Sequence, residues 1–308
     1  MEKKDTQKEI TIHDKEYPAL LKQIKNAPKA LYVKGDASIL SLPCVAIVGT
    51  RKASGEGMTL AQNIAQELAR AGLVIVSGLA QGIDSAAHKG ALEAYGKTIG
   101  VLGSSLEERF FFPSQNSSLS RKMIEIGGAL VSEYEKDTPA LRHHFIARNR
   151  IVAGLSLGVI VIEAPQKSGA LITAEFARKE KRIVCAIPGS PFSSAARGGN
   201  NLIKKGAHLV EGAKDVLEIL QKETLFFPIK KLYPQRAFSL GGFSVQEATI
   251  ITCLEEGQIH IDKLAQKTKV EVPALLSLLI ELELKGMVQN IGGGNYVITK
   301  NYEDTQAG

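Results

Sequence analysis

The chain has 308 residues, 44% of them hydrophobic and 23% charged, with a net charge of +6. That is enough apolar material for one large core and a smaller second unit. No run approaches ~18 uninterrupted apolar residues, which argues against a membrane-spanning helix. The N-terminal stretch MEKKDTQKEITIHDKEY lacks the apolar centre of a secretory signal. Cys44, Cys185 and Cys253 are far apart and read as reduced thiols of a cytoplasmic protein. No Cys/His spacing matches a metal site, so neither a metal nor a cofactor is expected.

Residues 1 to about 12 are polar and expected to be loose. Positions 17–26 (YPALLKQIKN) read as a short amphipathic helix and 30–34 as a short strand, so residues 1–40 form a lead-in. A regular alternation occupies 41–222. Strands are expected at 45–48, 74–77, 98–102, 129–132, 158–163, 183–186 and 208–210. Helices are expected at 57–71, 84–95, 115–126, 145–155, 169–179 and 213–222. Short continuous apolar strands fit a sheet covered on both faces. Their alternation with helices implies right-handed crossovers and a Rossmann-like, doubly wound, mostly parallel α/β domain.

Residues 223–243 carry two prolines and a Gly-Gly pair without periodicity and read as a linker. From 244 to 300 the pattern becomes three helices, at 245–255, 261–267 and 273–285. A glycine-turned hairpin at 287–298 follows, giving a small winged-helix domain. Residues 244–308 hold five lysines against nine acids, a net of −4, which leaves +10 on the rest. A polyanion is therefore expected on the larger domain. The third helix of the winged unit sets Glu281 and Glu283 against Lys285 and is otherwise apolar. It is expected to bury most of its surface rather than read a DNA groove.

Ligands in doubly wound folds bind at the C-terminal ends of the strands. There the first strand runs into Gly49-Thr50-Arg51, with Ser54, Gly55 and Gly57 following. The second ends at Ser77-Gly78, and Ser168-Gly169 opens a later helix. Small residues with free backbone N–H groups at helix starts make anion sites. Arg148-Asn149-Arg150 sits at the start of the 145–155 helix, before the apolar run 151–157, and reads as functional. Phe145 and Arg142 precede it. An exposed aromatic beside arginines can stack a base while the cations hold phosphates, although Phe145 alone also fits a core position.

Other uses of the fold fit poorly. A dinucleotide site needs G-x-G-x-x-G after the first strand and an acid at the end of the second. Here Thr50-Arg51-Lys52 follows Gly49, and Ser77-Gly78-Leu79 contains no acid. The P-loop pattern is absent. Gly154-Leu155-Ser156-Leu157-Gly158 matches G-x-S-x-G, but its helix precedes and its strand follows, the reverse of a nucleophile elbow. Asp84, Glu133, Glu163, His88, His143 and His144 form no nucleophile–base arrangement by spacing. Asp84 begins a helix, where a carboxylate caps free N–H groups.

Taken together, YPALL, LYVKGD, VAIVGTR, SGLAQGIDSAAHKGAL, Pro113 with Asn116, Ser132-Glu133, RNRIVAGLS, VIEA with SGALITA, IPG and GGNNLIKKGA resemble the DNA-processing protein A (Smf) family from Tyr17 to about Leu220. The resemblance implies a Rossmann-like, non-enzymatic single-stranded DNA binder that forms a homodimer. Such a protein protects incoming DNA and helps load the RecA recombinase during natural transformation. It implies DNA contacts at Gly49-Thr50-Arg51, at Arg142 with Phe145, and at Ser168-Gly169. The full candidate set adds Ser54, Gly78, Gly82, Arg148, Asn149, Arg150 and Asn200. Thr50 stands where serine is usual, Gln81 where arginine is common, and Ile146-Ala147 where a proline is usual. No separate N-terminal helical module of the kind some members carry is expected. The competing class is a nucleotide-processing enzyme of the phosphoribohydrolase type. Its P-G-G-x-G-T loop is missing, because Pro188-Gly189 continues as Ser190-Pro191.

Overall fold

The computed structural model describes residues 7–224, 245–254, 257–268 and 270–299. The chain divides into two compact units, residues 1–229 and 230–308. The expected linker lies outside the described residues from position 225 onward, as does the end of the helix expected at 245–255.

The first unit runs β1 (Gln7–Thr11), α1 (Ala19–Lys22), β2 (Ala30–Gly35), β3 (Cys44–Val48), α2 (Gly55–Arg70), β4 (Val74–Ser77), α3 (Ile83–Glu93) and β5 (Thr98–Val101). It continues with α4 (Ser117–Glu125), β6 (Ala129–Ser132), α5 (Arg142–Leu155), β7 (Gly158–Val161), α6 (Gly169–Lys179), β8 (Ile183–Ala186), α7 (Arg197–Lys204), β9 (His208–Leu209) and α8 (Ala213–Glu223). The strands order as β1-β2-β6-β5-β4-β3-β7-β8-β9 in one sheet. From β6 to β9 every pairing is parallel, while β1 and β2 add antiparallel at one edge. Every residue of β3, β4, β5, β6 and β7 is buried, the signature of a sheet covered on both faces. Burying each Val, Leu or Ile there is worth about 1.5–3 kcal/mol before entropy is counted.

Two features of the lead-in differ from expectation. Residues 7–11 are not loose, because their backbone pairs with β2 from Gln7 opposite Lys34 to Thr11 opposite Ala30. Ile10 is fully buried under that edge. The helix expected over 17–26 shrinks to one turn. Gln23 and Ile24 donate to carbonyls only three residues back, tightening and ending it. A helix not foreseen, α7, carries the motif GGNNLIK. Cys44 and Cys185 are buried, and burial pushes both thiols up to about 12, so neither is a reactive thiolate at neutral pH.

The second unit contains α9 (Val245–Leu254), β10 (Ile259–His260), α10 (Ile261–Thr268), α11 (Val272–Leu284), β11 (Val288–Gly292) and β12 (Asn295–Ile298). Its strands order as β10-β12-β11, a small sheet with a wing hairpin. Leu264, Leu275, Leu279, Leu282, Val288 and Tyr296 build its core. Helix α11 does not bury most of its surface. Leu275, Leu279 and Leu282 are buried and Leu278 packs beside them, while Leu276, Ile280 and Leu284 form an exposed stripe at four-residue spacing. Apolar residues outnumber the polar ones on this helix, and its packing partners cover one face.

Candidate nucleic-acid interface

Strand β3 is followed in the sheet by β4 on one side and, after a long return, by β7 on the other. The C-terminal ends of β3 and β7 thus flank a topological switch point, where open α/β sheets hold their ligands. A cavity of about 740 Å³ opens there. Ten of the fourteen candidate residues line it: Gly49, Thr50, Arg51, Gly78, Arg142, Phe145, Arg148, Asn149, Ser168 and Gly169. Ser54, Gly82, Arg150 and Asn200 do not.

The turn after β3 is held by its own hydrogen bonds. Thr50 N–H donates to Glu163 O at 2.7 Å, Thr50 O accepts from Ile83 N–H, and Thr50 Oγ1 accepts from Lys52 N–H at 3.2 Å. Ser54 N–H and Oγ–H both donate to the Glu163 carboxylate, at 2.9 and 2.6 Å. Ser54 Oγ in turn accepts from Gly57 N–H and caps α2. The expected anion nest is therefore occupied by the protein's own carboxylate: a Cβ on Gly57 would lie 2.5 Å from Glu163 Cδ. Ser54 is a helix cap whose hydroxyl is engaged within the protein.

The backbone N–H groups of Thr50, Ser54 and Gly57 are thus engaged within the protein, and cationic side chains surround the cavity. Arg51 is exposed, and its guanidinium carbon lies 5.3 Å from the Phe145 ring and 5.9 Å from Phe112. Phe145 is half-buried and faces the cavity, so it is not a core residue. Arg142 and Lys167 stand exposed on the rim. Ser168 caps α6 by accepting from Ala170 N–H at 3.3 Å, and Asn149 donates to Gly169 O at 3.3 Å, tying α5 to α6.

The Arg-Asn-Arg cluster does not open a helix. Helix α5 begins at Arg142, so the cluster lies two turns inside it. Arg148 is 4% exposed. It donates to Gly78 O at 2.6 Å and to Val101 O, joining the ends of β4 and β5. Burial, partly offset by Asp84, pulls its guanidinium down to about 10. Gly78 is required by this arrangement, since a Cβ there would meet the guanidinium nitrogens at 2.5 Å. Arg150 turns away and pairs with both oxygens of Glu133, at 2.8 and 2.6 Å.

The remaining candidates are structural. Gly82 precedes α3 at φ +77, and a Cβ there would collide with Thr50 O. Asn200 grips the peptide of Gly189, accepting from its N–H at 3.1 Å and donating to its carbonyl at 2.8 Å. Asp84 does not cap its own helix. It accepts from Gly78 N–H at 3.1 Å and, more weakly, from Ala80 N–H, while burial raises its carboxyl and Arg148 opposes that shift. His88 is fully buried, with Nδ1 2.7 Å from Thr98 Oγ1. Thr98 Oγ1 donates to Ile75 O, so the imidazole donates to the hydroxyl. Burial and Arg148 push His88 down to about 3, leaving it neutral. Ser156 of the G-x-S-x-G match is buried and donates to Val152 O, as the reversed helix–strand order implies. Phe112 and Lys167 line the cavity and were not among the sequence candidates. Among the described residues no group of three or more His, Cys, Asp or Glu is placed to hold a metal ion.

Fold and pocket together define a Rossmann-like α/β protein with a cationic, aromatic cavity at its switch point and a winged helix attached. The chain belongs to the DNA recombination-mediator protein A family, which matches residues 8–221. The DprA winged helix domain matches residues 239–294. Protein Smf of Escherichia coli K12 is 36% identical over 281 residues, covering 90% of this chain and 74% of that protein. DNA processing protein DprA of Streptococcus pneumoniae is 46% identical over 208 residues, covering 68% and 72%. The X-ray structure of the S. pneumoniae protein superposes with a TM-score of 0.64 at 44% identity, covering 69% of this chain and 74% of that one. A structure of DNA processing protein A from Helicobacter pylori, concerned with that protein's single-stranded DNA binding mode, gives a TM-score of 0.62 at 35% identity, covering 70% and 97%.

Proposed function

We propose that the first unit binds single-stranded DNA with little sequence preference, through the cavity at the switch point. The observation that carries this reading is Arg51, an exposed guanidinium held over two aromatic rings at the mouth of that cavity. A cation beside π-faces suits a phosphate–base polymer, and stacking on such faces tolerates any base. The H. pylori relative supports the same ligand class. No catalytic step is assigned. Asp84, in the pocket lining, accepts from backbone N–H groups, and Glu163 behind the turn accepts from Ser54.

The domain limits at 41–222 and 244–300, joined by 223–243, belong to this proposal, as does a cytoplasmic location. Among the described residues no helix is long and apolar enough to cross a membrane. The winged helix serves protein contact rather than acting as the main DNA reader. Its net −4 and the exposed Glu281 and Ile280 of α11 suit a protein partner better than phosphate. Affinity for a single-stranded oligonucleotide should fall steeply with salt as counterions are released. In the same titration, deletion of residues 236–308 should cost less than about 1 kcal/mol, a few-fold in affinity. A flat salt dependence rejects DNA binding by charge, and a hundredfold loss on deletion moves the main site to the winged helix.

Family membership further supports a homodimer that protects incoming DNA and helps load RecA during transformation. Sedimentation at micromolar concentration should show a dimer, and RecA should co-sediment with the DNA-bound protein. Monomer alone, with and without DNA, rejects the dimer; RecA that stays behind rejects the loading role.

A further inference from the structure

Phe112 stands in the run Phe110-Phe111-Phe112-Pro113, between β5 and α4. Phe111 is buried in a cluster with Leu79, Leu102, Leu106 and Leu119. Its backbone is extended, at φ −68 and ψ 133, so the neighbouring side chain points the opposite way. Phe112 is accordingly 59% exposed. On its other side the segment is tied down by Asn116, which donates through Nδ2 to Leu79 O at 2.8 Å. An aromatic ring is thus held in water between two anchors, although burying it would be worth about 1.5–3 kcal/mol. A ring presented in this way at the rim of a cavity is what a stacking partner requires.

The relation of the two rings bears on how bases could stack. The Phe112 and Phe145 centroids are 5.8 Å apart with planes inclined at 52°. Rings tilted so far cannot clamp one flat base between parallel faces. Each ring has a face of its own direction, and the Arg51 guanidinium lies within 6 Å of both centroids. The cavity, at about 740 Å³, is in the upper part of the ~300–1,000 Å³ range of ligand pockets. We propose that Phe112 is a second stacking platform, so that the pocket takes two successive bases of a single strand, one on Phe145 and the next on Phe112, around the phosphate held by Arg51. This rests on the single-strand reading above and adds to it a second base subsite.

The test separates bases from phosphates. Fluorescence anisotropy on the full chain compares oligothymidylate of ~8 residues, within the size range of single-strand sites, with an abasic strand of equal length. The wild type should bind both and prefer thymidylate. Phe112→Ala should shrink that preference about tenfold, or ~1.4 kcal/mol, with little change on the abasic strand. Phe112→Leu keeps the bulk without the π-face and should lose the preference too, while Phe112→Tyr should keep it. Phe145→Ala should shrink it independently, and the double variant further than either. If Phe112→Ala and Phe112→Leu keep the wild-type preference, or weaken both strands equally, the second subsite is overturned while single-strand binding stands. If the wild type binds neither strand, the single-strand reading itself fails and the subsite with it.

Discussion

Arg148→Ala should destabilise the first unit by about 3–5 kcal/mol, the cost of removing a buried charge that offsets another. The side chain is nearly inaccessible, and its positive charge offsets the burial of Asp84. Its loss would leave that carboxylate uncompensated and the carbonyls of Gly78 and Val101 without a donor. Denaturant unfolding of the full chain, followed by a probe in the first unit, measures the effect. Arg150→Ala is the internal comparison. It breaks a pair with Glu133 that keeps some solvent contact and should cost distinctly less. Adding Asp84→Asn should recover part of the loss, because the Arg148 charge is what opposes the burial of that carboxylate. Wild-type stability of Arg148→Ala would return this residue to the DNA-contacting set.

Arg148, Arg150 and Arg51 mark how far the sequence can be read. All three are arginines beside turns or helices, yet one is a buried girder, one an ion-pair partner and one an exposed cation over two rings. Side-chain direction decides among them, and it depends on strand order, which a linear pattern does not carry. The parallel strands were legible because burial on both faces forces continuous apolar runs, and their boundaries fall within about two residues of expectation. Helix α7 was hidden by Gly198 and Gly199, poor helix formers. Gly198 is there because a Cβ would strike the carbonyl of Ala164. The lock between Ser54 and Glu163 joins positions 109 apart in sequence, so a serine at a helix start read as an open anion site. Phe112 was lost in a run of three phenylalanines, where composition cannot tell which ring faces the core. Leu276, Ile280 and Leu284 were read as buried because a predominantly apolar helix normally is.

Arg51→Ala should weaken single-stranded DNA binding by about 2 kcal/mol, within the ~1.5–3 kcal/mol of hydrogen bonds to charged groups. Its stability should stay within about 0.5 kcal/mol of wild type, as for other exposed positions without structural partners. The asymmetry is the reverse of that at Arg148, and it follows from exposure. Among the described residues the Arg51 guanidinium meets the two rings at the cavity mouth and no hydrogen-bond partner, so its removal leaves no buried group there unsatisfied. The loss should also have a salt signature. Removing one phosphate contact lowers the slope of log affinity against log salt by roughly 0.7 on a single strand. Arg51→Lys should recover the slope, since the charge returns. It should recover affinity only in part, since an ammonium cannot lie flat over a ring while forking onto a phosphate. A titration in which Arg51→Ala binds as wild type, or loses affinity with an unchanged salt slope, would show that this guanidinium does not meet a phosphate. Arg142 and Lys167 on the rim would then have to carry the charge by themselves.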